Sequence, residues 1–132
     1  MSIRTQSGFV IIDVSGCNSH QLSDSYQDFG LLCARGKVRW ALLRTGGEDP
    51  DAHYALCDVL RTVVRIAGIP LHFRLAVVAS ADSIAQVCGT MREELRSLGC
   101  DARVFRIERQ AEQWLLANQR PAQPALGQVA VA

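Results

Sequence analysis

Apolar positions along this chain switch repeatedly between a β-branched run and a helical stripe. The segment "GFVIIDVSG" (8–16) is dense in β-branched residues and closes on Ser-Gly, which predicts a strand between turns. Beyond it, Leu22, Tyr26, Phe29 and Leu32 or Cys33 recur at helical spacing, with Asn18 or Ser19 as the cap and Gly36 as the stop. "KVRWALLRT" predicts the second strong strand. "PDAHYALCDVLRTVVRIAG" predicts the second helix, its stripe formed by Leu56, Val59 or Leu60, Val63 and Ile66 or Ala67, and its stop by Gly68.

"IPLHF" reads as a loop. The continuous small apolar run "RLAVVAS" needs cover on both faces, as in the interior of a parallel sheet. "DSIAQVCGTMREELRSLG" carries Ile84, Val87 or Cys88, Met91 and Leu95 on one side and stops at Gly99. "CDARVFRI" alternates at Ala102, Val104 and Arg106 as a fourth strand. "RQAEQWLLANQ" predicts a last helix whose Ala111, Trp114, Leu115 and Asn118 set Trp114 against the sheet. Residues 1–5, joined by the turn-like "QSG", add a short antiparallel edge strand.

Strands alternating with helices call for βαβ units. The expected fold is a single α/β domain over residues 1–119, a mostly parallel or mixed sheet of four to five strands packed with about four helices. Residues 120–132 hold two prolines and no charge after Arg120, which predicts a poorly ordered extension or a partner-binding arm.

Charge narrows the partners. Fourteen basic and 13 acidic side chains leave a net +1, which gives no pull toward nucleic acid or acidic lipid. No segment reaches the roughly 18 to 20 apolar residues of a membrane span, and the start has neither a long apolar region nor a small-residue cleavage site. The expectation is a soluble, cytoplasmic protein without stable membrane insertion. Five widely spaced cysteines with no C-x-x-C pair predict reduced thiols, those at 33, 57 and 88 serving as small hydrophobes in helices.

Two loops at the carboxyl ends of strands are the candidate partner or ligand sites: Thr45, Gly46 and Gly47 in the first, Ser80, Asp82 and Ser83 in the second. A phosphate cradle would want a lysine after the glycines, but Glu48, Asp49 and Asp51 follow and would repel an anion. Asp49 as helix cap with Pro50 at the first helical position accounts for that turn. Asp49, His53 and Cys57 share helical spacing, yet the sequence places no fourth ligand beside them, so no metal and no cofactor is expected. In the second loop Ser80 or Asp82 caps the next helix, and the G-x-S-x-G elbow of a nucleophilic serine is missing. His20 and His72 read as surface or partly buried side chains, and Arg61 and Arg65, with Asp58 close to Arg61, as a solvated helix face.

The order "FVIIDVSG", helix, "VRWALLRTGG", helix, "FRLAVVAS", helix, "ARVFRIERQAEQWL" resembles the SpoIIAA-like or STAS-like group, small α/β domains similar to anti-sigma-factor antagonists. The ending, Val104-Phe105 followed by Ala111 and Trp114-Leu115, carries most of the likeness, which covers residues 8–116. The resemblance implies a non-enzymatic, partner-binding or regulatory module, with room for a homodimer. Regulatory members place a phosphorylatable serine of D-S-[SG]-G type after the second strong strand. Here Thr45-Gly46-Gly47-Glu48 stands there, so the usual serine switch is not expected. Related proteins that look like carriers imply an alternative, a small apolar ligand or lipid held between helix and sheet. A filled core under the first helix would favour the module over the carrier.

Overall fold

The computed structural model describes residues 2–6, 9–35, 38–46, 49–67 and 72–118. Five strands, β1 (Ser2–Gln6), β2 (Phe9–Asp13), β3 (Trp40–Arg44), β4 (Phe73–Val78) and β5 (Cys100–Phe105), form one sheet in the order in which they occur along the chain. β1 runs antiparallel to β2, from Ser2 opposite Asp13 to Gln6 opposite Phe9, and the other pairings are parallel. Four helices, α1 (Ser19–Ala34), α2 (Tyr54–Ala67), α3 (Asp82–Ser97) and α4 (Glu108–Asn118), follow β2 to β5. The α/β class, the mostly parallel sheet and the antiparallel edge strand match the expectation from sequence. The segment 120–132, together with Gly36, Gly47, Glu48 and Gly68, lies outside the described residues.

Parallel strands that advance in one direction through crossovers of one hand must lay every crossover helix on the same face. The core divides accordingly. Leu22, Tyr26 and Phe29 of α1, Leu56 and Leu60 of α2, and Ile84, Met91 and Leu95 of α3 pack on Ile12, Leu43, Leu75 and Val77. The other face has only α4, whose Ala111 and Leu115 meet Phe9, Ile11, Leu42 and Ala76. β4 lies between β3 and β5 with Val77 facing the three-helix layer and Val78 the α4 side, so the small apolar run is covered on both faces.

Several local expectations change. β4 begins at Phe73, inside the segment read as a loop, because Phe73 is needed in the core, where its ring meets Phe29 edge-on at 5.7 Å. Trp114 does lie against the sheet as expected, but half-buried, and the fully buried Leu115 and Ala111 pack beside it under α4. The Trp114 ring tilts against Phe105 of the edge strand at 5.8 Å and carries the Arg103 guanidinium 5.2 Å from its centroid. Arg61 is not merely solvated: it pairs with Asp58 on its own helix and reaches Glu94 on α3.

Helix starts follow local chemistry. Asn18 caps α1 with a complete capping box, its side chain accepting from the Gln21 amide at 2.8 Å while Gln21 accepts from the Asn18 amide at 3.0 Å. Asp49 accepts from the Asp51 amide at 3.1 Å and Pro50 opens a 3-10 turn, Pro50–His53, that leads into α2. Gly99, with φ of 93°, turns the chain out of α3.

Beneath α1 the core is filled. Tyr26 lies against His53, which is also fully buried, with Tyr26 Oη 2.6 Å from His53 Nδ1. Gly30 is a point of close approach: a Cβ there would stand 2.5 Å from Cγ1 of Val59 on α2. All five cysteines are buried and free. Burial pushes the Cys33 thiol up to about 12 and raises those of Cys57 and Cys100, which suits inert core residues.

Candidate functional site

The carboxyl ends of β2, β3 and β4 stand side by side because those strands are parallel neighbours, and this is the edge where open α/β sheets meet their ligands. At the end of β2, Asp13 Oδ1 accepts from the Ser15 amide at 3.1 Å and from the Ser15 hydroxyl at 2.5 Å, a closed Asx turn. Gly16 continues that turn at φ 78°, a conformation L side chains rarely adopt. At the end of β3, the Thr45 hydroxyl donates to the Val78 carbonyl at 2.6 Å and accepts from the Ser80 amide at 3.1 Å. The Ser80 hydroxyl donates to the Gly46 carbonyl at 2.5 Å. A Cβ on Gly46 would lie 2.7 Å from Cβ of Ser15, so only glycine lets the loop after β3 seat against the Asp13–Gly16 turn after β2.

The result is a crest of small residues, Ser15, Gly46 and Ser80, running across three strand ends. Ser15 and Ser80 are exposed, whereas Thr45 is buried beneath them as the tie between β3 and β4. Of the sequence-derived candidates, Thr45, Gly46 and Ser80 come together here, and Gly47 lies outside the described residues. Ser80 and Asp82 do not cap α3. The N-cap is Ala81, which makes no side-chain cap bond. Ser80 instead closes on Gly46, and Asp82 in the first turn pairs with Arg106, whose Nε donates to the Ala79 carbonyl at 3.0 Å. Ser83 is exposed on the same turn.

A charged network that sequence reading missed flanks the crest. Arg44 at the end of β3 makes two hydrogen bonds to Glu108 at the start of α4, 2.7 and 2.6 Å, and stands 3.7 Å from Asp13. The hydrogen bond from Arg44 outweighs partial burial and holds the Glu108 carboxyl below the usual range. At Asp13 burial pushes the carboxyl up, but the two Ser15 hydrogen bonds and the Arg44 charge outweigh it and the net shift is downward. Glu108 in turn raises Arg44. A charge ending the apolar run "WALLR" was the available signal for Arg44, but its partner is 64 positions away.

Chemically, the Ser15 hydroxyl donates to a carboxylate held below its ordinary range, which is a weak base. The Ser80 hydroxyl rests on a backbone carbonyl, which cannot take a proton from it. The triplet Asp49, His53 and Cys57 does not converge: Asp49 caps the 3-10 turn, His53 is turned to Tyr26, and Cys57 is in the core. Among the described residues no three His, Cys, Asp or Glu side chains gather as a metal site needs. His20 is exposed beside Asp24, and exposed His72, with φ of 58°, precedes β4 at the opposite sheet edge. No helix among the described residues is long and apolar enough to cross a membrane. Comparison with protein-family models, curated proteins and solved structures found no match.

Proposed function

We propose that this chain is a non-enzymatic binding or regulatory module of the SpoIIAA-like, STAS-like type that meets a protein partner at the crest of strand ends and works without the serine phospho-switch. The observation that carries the reading is the closure of Ser15, Gly46 and Ser80 over the buried Thr45. Rigid, small-residue loops allow the backbone of a partner to approach closely, and little ordering entropy is lost on binding. The Thr45 hydroxyl is engaged both as donor and as acceptor, so a phosphoryl group there would have to break the tie between β3 and β4. The carrier alternative has less support, since Leu22, Tyr26 and Phe29 fill the space under α1.

The test is native mass spectrometry of tagged protein purified from its own host, beside Ser15→Arg and Ser80→Arg, which place bulk on exposed crest positions. A stoichiometric protein partner that both variants lose supports the module. A co-purified lipid with no protein, retained by both variants, establishes the carrier instead.

A further inference from the structure

At the amino ends of β3, β4 and β5, across the sheet from the crest, lies a pocket of about 330 Å³ whose lining includes Arg39, Trp40, His72, Arg74 and Asp101. Strand register assembles it. Trp40 stands opposite Arg74 and Arg74 opposite Asp101, so these three side chains leave the sheet on one face, the face on which Trp40 packs with the α4 cluster. Main-chain bonds fix the rim: the Arg74 amide donates to the Arg39 carbonyl at 2.9 Å and the Phe73 amide to the Gly99 carbonyl at 3.0 Å. His72 enters that rim with φ of 58°, a costly conformation for a residue with a side chain and one that collects at ligand sites.

Both signs of charge line the pocket, Arg39 and Arg74 against the Asp101 carboxylate. They do not close on one another. Arg74 and Asp101 are partners on neighbouring strands and face the same side, yet among the described residues neither of them, nor Arg39, forms an ion pair. The nearest further cation on that face, Arg103, is drawn to the Trp114 ring instead. Arg74, Asp101 and Trp40 are half-buried, so the two charges are partly stripped of water, and a partner is worth more to them than to a fully solvated side chain. Opposite charges held apart beside an indole suit a guest that carries both signs and a ring.

From this we propose that the pocket binds a free α-amino acid with an aromatic side chain. Its carboxylate takes the guanidinium groups of Arg74 and Arg39, whose planar forks match a carboxylate, its ammonium meets Asp101, and its ring lies on the open part of Trp40. A phosphate or a nucleic-acid backbone would satisfy the arginines but set further negative charge against Asp101. An amine without a carboxylate would leave both arginines unpaired. The pocket shares no residue with the crest, so the proposal goes beyond the partner-binding reading and does not depend on it.

The probe is L-phenylalanine, titrated into the full chain carrying Trp114→Phe, which leaves Trp40 as the sole tryptophan and its fluorescence as the reporter. Calorimetry on the wild type gives the same affinity without that substitution. The controls are 3-phenylpropionate, which lacks the ammonium, phenethylamine, which lacks the carboxylate, and inorganic phosphate. Phenylalanine is expected to quench Trp40 saturably, with each control about tenfold or more weaker, as the loss of a charged hydrogen bond implies. Arg74→Gln and the exposed Arg39→Gln are expected to weaken phenylalanine and 3-phenylpropionate about tenfold and leave phenethylamine unmoved. Asp101→Asn is expected to weaken phenylalanine and phenethylamine by a similar factor and spare 3-phenylpropionate. Circular dichroism checks that each variant folds. No saturation by about 10 mM phenylalanine, a free energy under about 3 kcal/mol, overturns the proposal. So does phosphate binding as tight as that of phenylalanine, because the pocket is then a general anion site, and so does a phenylalanine affinity that none of the three variants moves.

Discussion

Tyr26 on α1 and His53 in the turn that opens α2 lie 27 positions apart and meet through a 2.6 Å hydrogen bond between Oη and Nδ1, with both residues fully buried. A buried polar pair of this kind fixes how α2 enters the helical layer, because neither group finds water if the other moves. Tyr26→Phe keeps the ring and removes the hydroxyl. It is expected to lower unfolding free energy by about 1–3 kcal/mol, read from urea denaturation, and an unchanged midpoint would show that the ring alone holds the site.

Gly30 and Val59 set the spacing of α1 and α2. Alanine at Gly30 gains about 1 kcal/mol of helix propensity, but its Cβ would collide with Val59 Cγ1. Gly30→Ala is expected to destabilise, and Val59→Ala in the same chain to recover part of the loss. The coupling is measured by a double-mutant cycle, and strict additivity would mean the helices simply move apart.

Thr45→Val leaves the shape of the crest and the backbone hydrogen bond from Thr45 N to the Val78 carbonyl at 3.2 Å, and removes the two hydroxyl contacts. The Val78 carbonyl and the Ser80 amide each lose the hydroxyl, which is expected to cost about 2–3 kcal/mol, whereas Thr45→Ser retains both bonds and loses only a methyl. Equal denaturation midpoints for the two variants would show that the hydroxyl does not join the strands.

The Arg44 network has a pH signature. Both Asp13 and Glu108 are held below the ordinary carboxylate range in the folded state. They therefore contribute stability above about pH 4, which is lost as pH falls through their lower folded values. Wild type is expected to exceed Arg44→Gln in stability at neutral pH, with the gap narrowing in acid. Urea melts at about pH 7 and about pH 3.5 test this. A constant gap would mean that Arg44 acts through packing alone.

For α4 the decisive side chain is Leu115. Leu115→Ala, at a fully buried position, is expected to cost about 2–5 kcal/mol. Trp114→Ala removes a half-buried ring and its contacts with Phe105 and Arg103, for about 1–2 kcal/mol. The reverse order in a denaturation series would make Trp114 the anchor.

What the sequence determined by itself was local. Strand and helix follow from burial periods of two and 3.6, which neighbouring residues impose on one another, and the caps at Asn18 with Gln21 and at Asp49 with Pro50 close within a few residues. The parallel sheet and its antiparallel edge were legible for the same reason. Phe73 was misplaced because a core contact with Phe29 overrode the turn signal before it.

Only the tertiary structure decided what meets what. Chain-order parallel strands whose crossovers share one hand put α1, α2 and α3 on one face and left α4 alone on the other. That choice brought Ser15 onto Gly46, Thr45 onto Ser80, Arg44 onto Glu108 and Gly30 of α1 onto Val59 of α2. Ser80 had the local chemistry of a cap and lost that role to a carbonyl 34 positions earlier in the chain. A hydrogen bond or a close contact is chosen by distance in space, and no periodicity along the chain encodes that distance.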